Sequence, residues 1–484
     1  MHAQESSAES SEARLKREVV SEANAALEGR PVRSSGTFFK QSVTRELVNL
    51  AWPIAAAMLG ETAIGLVDTK LVGGLGPAAL GGVGLATMTM FLCYALVFGL
   101  MRGVKVRASH AIGEGRAQNG VVYAMSGLLM GLTVGVGVLF LCRDVRGLLT
   151  FVGSDPSIVP YASEFLAAVT LGAPATCALA ALIQHRQAVG DSRTPMIVGL
   201  LGNAFNACLA YGLIYGHFGL PALGVRGGGY STALTETLEL VAMLFVLARD
   251  YRRAPTTEKS QRISLRQAAI EIGEIGLPTG LQFGAETLAF ATFTAVLGGI
   301  DPREIAAHQI ALNVIRVSFL PGLAVAEAAS VLVGRSLGAR NLGDADAVVR
   351  SALGIAVGFM AACGVFFALC GGAIARFFSN DDSVAHTTRS LLLVAALFQV
   401  LDAINIVLRV ALRGAKDVRV TAFLSIVIVW TCVPTSAYLL GRHLGLGAMG
   451  GWIGFIGETT IGALIFWPRW KRGAWRANYV SGAK

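Results

Sequence analysis

Runs of roughly 20 apolar residues, the length of helix that crosses a bilayer core, recur twelve times in this chain. They lie near 47–70, 78–101, 120–141, 158–182, 195–215, 225–248, 268–297, 305–333, 350–372, 388–410, 418–440 and 448–468. With 54% hydrophobic and only 15% charged residues, the 484-residue chain is too apolar and too charge-poor for a soluble protein. It reads as an all-α polytopic membrane protein with twelve transmembrane helices. The 58 glycines suit helices that pack backbone to backbone in lipid.

Twelve spans put both ends of the chain on one side. With the N-terminus inside, the opposite side carries only Lys70, Arg143, Arg146, Arg226, Arg303, Arg376, Arg389 and Arg442, and Arg316 falls within a span. The remainder of the 40 Lys and Arg cluster on the side of the termini. The positive-inside rule then makes both termini cytoplasmic, as in a bacterial inner membrane. The same spread over short loops accounts for the net charge of +9 and argues against nucleic-acid binding. The seven cysteines lie in or beside apolar runs, form no CxxC pair and stand near no histidine cluster. Residues 1–44 read as a polar, disordered cytoplasmic tail without the apolar core of a cleavable signal.

The most charged internal loop, 251–266, falls near the midpoint of the chain and reads as a linker between halves. An ungapped offset of 225 residues aligns those halves: Glu46 with Glu271, Pro53 with Pro278, Glu61 with Glu286, Thr69 with Thr294, Pro77 with Pro302 and Gly113 with Gly338. The expected architecture is two pseudo-symmetric six-helix lobes, 45–250 and 267–470, around a central cleft, followed by a C-terminal tail, 471–484. An even number of spans per repeat sets the pseudo-symmetry axis along the membrane normal.

Three carboxylates, Asp68, Glu286 and Asp402, lie inside or near the ends of apolar runs. A charge near the bilayer centre costs about 2.5–3.5 kcal/mol on insertion scales and survives where it faces a cavity and handles ions or substrate. Gln399, Asp402 and Asn405 share one face of the tenth helix at three-residue spacing. Glu286 follows Pro278 by eight residues, and a kink there would free carbonyl ligands for a hard cation. Asp68 stands seven residues after Glu61, which places the two carboxyls on one face roughly 10 Å apart. Each has a plainer reading: Asp402 bonded to a neighbouring helix, Glu286 buried and protonated, Asp68 paired with Lys70. Asn206 and Gln309 are secondary polar candidates. Glu164, Glu236, Glu239 and Glu458 read as helix-terminal or packing-satisfied groups. Arg102 and Glu327 match under the 225-residue offset, and a salt bridge between them would close the cytoplasmic side; exchanging both charges together should then rescue what either single change loses. No HExxH, P-loop or GxSxG is present, so the sequence offers no enzymatic chemistry and no structural metal.

Several motifs stand in order: VDT at Val67–Thr69, VGDSRTPM at Val189–Met196, GHFGLPALGVRGGGYST at Gly216–Thr232, IAAHQIALN at Ile305–Asn313, AASVLVGRSLGARN at Ala328–Asn341, and FQVLDAI with ALRGAKD around the tenth helix. Over roughly 45–470 the chain so resembles the multidrug and toxic compound extrusion (MATE) family, and especially its NorM-type branch. The resemblance implies cation-coupled antiport, with sodium ions or protons entering as amphipathic, mostly cationic drugs leave. It also implies that carboxylates of helices one, seven and ten serve, which here are Asp68, Glu286 and Asp402, with a transient sodium ion at Glu286 and Asp402. The DinF-type branch needs an Asp one turn after an Asn in helix five, yet Asn206 is followed by Ala210. No cofactor beyond the coupling ion and no obligatory protein partner is expected. The rival reading is a lipid-linked oligosaccharide flippase of the same superfamily, whose cleft would be lined by Arg and Lys.

Overall fold

The computed structural model describes residues 36–143, 147, 155–253 and 263–480. Most of the tail expected over 1–44, most of the linker expected over 251–266 and the last four residues lie outside the described residues. The helices are α1 (Gly36–Gly73), α2 (Pro77–Gly113), α3 (Ala117–Arg143), α4 (Val159–Ala188), α5 (Arg193–Tyr215), α6 (Val225–Arg253), α7 (Leu265–Gly298), α8 (Pro302–Gly338), α9 (Leu342–Phe378), α10 (Asp382–Gly414), α11 (Arg419–His443), α12 (Gly447–Arg472) and the short α13 (Ala477–Val480). A 3-10 turn at Thr170–Gly172 interrupts α4, and α11 widens into a π-helix over Ala437–His443, just after Pro434.

Eleven of these are long and apolar enough to cross a membrane. The 34-residue α7 is less apolar because Gln282 and Glu286 sit in it, and the repeat makes it the twelfth span. Local chemistry sets the starts of the second-lobe helices. Ser264, Asp301, Asn341 and Asp381 each cap a helix by accepting from a backbone N–H two or three residues on, and Pro302 opens α8 where its missing N–H costs nothing.

Helix packing repeats lobe by lobe. In the first, α1 meets α5, α5 meets α6, α6 meets α4, and α4 lies on α3 and α2; in the second, α7 meets α11, α11 meets α12, α12 meets α10, and α10 lies on α9 and α8. Between lobes α2 packs on α7, α8 on α1, and α2 on α8. Two pairs of repeat-mates touch across that last contact. Arg102 reaches Glu327, and a Cβ on Gly338 would stand 3.1 Å from the Cα of Gly113. A residue in contact with its own mate must lie beside the pseudo-two-fold axis, so the axis runs down the α2–α8 crossing.

Among the described residues, the lobes meet at the end that carries the start of α1 and the end of α12. On α2, burial is nearly continuous from Val97 to Ala111, and on α8 from Gly322 to Gly338, whereas the far halves of both helices are buried only intermittently. Glycines allow the approach: a Cβ at Gly276 would lie 2.1 Å from the Leu100 carbonyl oxygen, and one at Gly99 would lie 2.5 Å from the Cα of Gly280. Polar contacts ring this closure. Arg107 bonds the Glu271 carbonyl at 3.1 Å and Glu274 at 2.7 Å, Arg335 donates to the Ala188 carbonyl at 2.7 Å, and His110 Nε2 donates to the Gly414 carbonyl at 2.8 Å. Among the described residues, the hydrogen bonds between lobes are confined to this end, and the cleft opens at the other.

Glu327 lies at the centre of the closure, 2% exposed. The pairing with Arg102 expected from the repeat is present, Nη2 to Oε1 at 3.2 Å, but it is not alone. Lys105 of α2 and Arg413 of α10 hold the same carboxylate, the latter at 3.3 Å, and Lys105 also donates to Gln187 Oε1 at 3.2 Å. This corrects the exchange test: with Glu327 turned into a cation, Lys105 and Arg413 would face it, so swapping the Arg102 and Glu327 charges should not rescue. It also corrects the loop census, because Lys105 and Arg413, read as loop cations, are 1% and 5% exposed.

Two outcomes follow. Gly276→Val should lower stability by about 1–3 kcal/mol through overpacking, read as thermal unfolding in detergent. Gly284→Val, two turns along α7 where a Cβ meets nothing within 4 Å, should change it by less than about 0.5 kcal/mol. Glu327→Gln leaves three cations without their anion. A broken buried pair costs about 3–5 kcal/mol, so a Ser109→Cys probe in a cysteine-free background should react at least about tenfold faster with an impermeant thiol reagent from the termini side. Unchanged reactivity would remove Glu327 from the closure.

Candidate functional site

One face of α10 carries Gln399, Asp402, Asn405, Arg409 and Arg413, spaced by three or four residues so that they stack along the helix. Asp402 is 9% exposed, and Gln399 and Asn405 are more deeply buried. Gln399 donates its amide to Ser318 Oγ at 2.8 Å, and Asn405 donates to Glu458 Oε1 of α12 at 3.2 Å. The carbonyl oxygens of both amides, Gln399 Oε1 and Asn405 Oδ1, are buried without a partner. Buried acceptors are rarely left unsatisfied, and these two flank a carboxylate. Asn405 has room because residue 462 of α12 is glycine, where a Cβ would stand 2.5 Å from Oδ1.

Glu286 comes to the same place from α7. Arg409 Nη1 donates to its Oε1 at 2.6 Å, and Gln282 Nε2 donates to the same oxygen at 2.9 Å. Asp402, Glu286 and Glu458 all lie within electrostatic reach of Arg409. Two of the three carboxylates singled out in the sequence, with Gln399 and Asn405, are thus brought together. Phe283, one turn from Glu286, is covered by the Arg102 guanidinium at 4.7 Å from the ring centre, which ties this group to the closure at Glu327.

Asp68 stands apart, in the other lobe near the far end of α1. It makes no ion pair with Lys70, and its Oδ1 is buried without a partner. Glu61 does not simply precede it on the helix: it joins Glu236 and Glu239 of α6 in a second acidic group. Thr176 of α4 donates to Glu236 there. Asn206 bonds Thr232 at 3.4 Å and leaves its Oδ1 unpaired. Gln309 is exposed on α8.

Sequence reasoning missed Arg409, and set aside Glu236, Glu239 and Glu458. Arg409 was counted with the loop cations because it stands at the very edge of the tenth span, 388–410, whereas α10 continues to Gly414 and places Arg409 more than a turn inside. Its signal was the stripe that continues from Asn405 at four-residue spacing. Glu458 carried no such signal, since only the fold shows that α12 faces α10. Glu164, in the second turn of α4, pairs with Arg226 at 3.4 Å where both side chains are exposed to solvent. Among the described residues no three His, Cys, Asp or Glu side chains are grouped to hold a metal ion.

The MatE family model matches residues 53–212 and again 278–438. The two matches start 225 residues apart, the offset of the internal repeat. The chain is 32% identical over 438 residues to a probable multidrug resistance protein NorM of Burkholderia pseudomallei, covering 89% of this chain and 93% of that one. It is 30% identical over 445 residues to the multidrug resistance protein PmpM of Pseudomonas aeruginosa, covering 89% and 92%. The fold matches a structure described as the outward-facing conformation of a multidrug resistance MATE family transporter, with a TM-score of 0.81 at 22% identity over 92% of this chain and 99% of that one. The eukaryotic MATE transporter AtDTX14 matches with a TM-score of 0.80 at 19% identity, covering 91% and 99%. The repeat, the twelve helices and these matches together make the chain a transporter of the multidrug and toxic compound extrusion family, in its NorM-type branch.

Proposed function

We propose that this transporter is a cation-coupled antiporter that exports amphipathic organic cations, and that Glu286 and Asp402 form the site where coupling cation and cargo compete. The observation that carries this reading is the Asp402 carboxylate flanked by two buried, unpartnered amide oxygens, Gln399 Oε1 and Asn405 Oδ1. Carboxylate and carbonyl oxygens are the ligands hard cations take, and an anionic pocket also attracts an organic cation. Glu286 adds a second carboxylate from the other side of the lobe. Asp68, with its own unpaired oxygen, serves a separate step in the first lobe.

Either a sodium ion or a proton can play the coupling role at such carboxylates. Exchange arises because a ligand shifts a conformational equilibrium by its differential affinity for the two states. With both termini in the cytoplasm of a bacterial inner membrane, the closed end faces inward and the cleft is open outward, the state in which cargo leaves and the cation enters. The flippase reading gains nothing here: Arg102, Lys105 and Arg413 are committed to Glu327 in the closure.

The test is efflux of a fluorescent organic cation from proteoliposomes under an inward sodium gradient at fixed pH and, separately, under a proton gradient without sodium. One gradient should drive efflux and so name the ion. Asp402→Asn and Glu286→Gln, folded and inserted, should each reduce that driven efflux at least about tenfold, the loss of ~1.4 kcal/mol. Full efflux by Asp402→Asn would remove that residue from the mechanism, and no efflux under either gradient would transfer the weight to lipid flipping.

A further inference from the structure

The cation that Glu286 holds in this structure is part of the protein. Arg409 donates to Glu286 Oε1 at 2.6 Å, while its own Nε is buried without a hydrogen-bond partner. The guanidinium is therefore anchored by one arm and carries an unsatisfied donor. Within its electrostatic reach lie Glu458 and Asp402 on the site side and Glu327 on the closure side. It occupies the only step on the α10 stripe between Asn405, which touches Glu458, and Arg413, which touches Glu327.

The repeat supplies an internal comparison. Glu286 corresponds to Glu61. At the ends of α4 and α10 the matching turns, with positive φ at Gly190 and Lys416 followed by Asp191 and Asp417, stand 226 residues apart, so Arg409 corresponds to Ile183. The first lobe thus has the glutamate with an apolar residue where the second has a guanidinium, and Glu61 sits with Glu236 and Glu239. The twelve-helix scaffold does not require an arginine at this place, since one of its two copies folds without it.

We propose that Arg409 is a tethered counter-cation for the second-lobe site, one that a cation from solution must displace from Glu286 in order to bind. Displacement frees the guanidinium to swing along the stripe toward Asp402 and Glu458 or toward Glu327. The site then admits cations in proportion to how well they outcompete an arginine: a compact monovalent ion competes through charge alone, a bulky organic cation also through the apolar walls. Arg409 is in this sense a specificity-determining residue. The inference rests on Glu286 being a cation-binding carboxylate, as proposed above.

The experiment is equilibrium binding of tetraphenylphosphonium, and of sodium ion by competition, to the purified transporter in lipid nanodiscs. Arg409→Gln should tighten tetraphenylphosphonium at least about tenfold, because paired charges of this kind are coupled by more than the equivalent of one decade. Arg409→Lys, which keeps the charge and gives up the planar fork, should tighten it about two- to fivefold. Glu286→Gln should weaken binding, and the Arg409→Gln, Glu286→Gln double variant should show no gain over Glu286→Gln. Weakened binding in Glu286→Gln with no gain in a folded Arg409→Gln would overturn the tethered cation and leave the site intact. Unchanged binding in Glu286→Gln would instead sink the site itself. Should Arg409→Gln not fold, Arg409→Lys decides, and wild-type affinity there overturns the inference.

Discussion

The structure turns on one buried carboxylate. Glu327 has three cations, two from the first lobe and one from its own, at a depth where water does not reach it. Removing four charged groups from water is costly, and the cost is recovered only while all four are together with their hydrogen bonds made. Around them glycine backbones on α2 and α7 come into close contact, Leu100 and Met101 of α2 pack with Ile272 of α7, and Leu47, Leu50 and Ile54 of α1 join an apolar cluster built mainly by the second lobe. Parting the lobes therefore costs apolar burial as well as the charge cluster, and a ligand opens the seal only by its differential affinity for the open state.

α10 connects this seal to the site. Its stripe runs from Gln399 and Asp402, through Asn405 and Arg409, to Arg413 without leaving one helix face, so the groups that meet a cation and the group that meets Glu327 are fixed on one rigid element. Spatial continuity alone does not establish coupling; a two-state element that both ends bias does. Arg409 has the chemistry for that element, because anions lie on either side of it and one of its donors is free to take a new partner.

Much of this was legible in the sequence, for identifiable reasons. Span length and apolarity marked the twelve helices, because a bilayer allows little else. The 225-residue offset exposed the two lobes and the Arg102–Glu327 pairing, since repeat-mates beside a two-fold axis must face each other. The stripe of Gln399, Asp402 and Asn405 followed from helical periodicity. What stayed hidden depended on contacts between helices. Glu458, Glu236 and Glu239 looked like ordinary terminal or packed acids because nothing in their own helices shows what faces them. Arg409, Arg413 and Lys105 were mistaken for loop cations because α2 and α10 run on past their apolar runs, and a charge census cannot tell a helix end inside the protein from a loop in water.

The axis itself carries the last consequence. When a lobe is duplicated, a residue beside the two-fold axis faces its own copy, and a charged residue there would face a like charge. At 102 and 327 the two copies have diverged to opposite charge, which turns the worst place for a charge into the best, equidistant from both lobes and buried by both. At 113 and 338 both copies remain glycine, and the backbones simply approach. Away from the axis no such pressure acts, and there the copies are free to differ in chemistry while keeping the same helix packing: Glu61 with two further acids in one lobe, Glu286 with Arg409 in the other. The lobes can therefore rock about a shared centre while presenting unequal sites to the cleft, and competition of cation and cargo at the second-lobe site needs no matching site in the first.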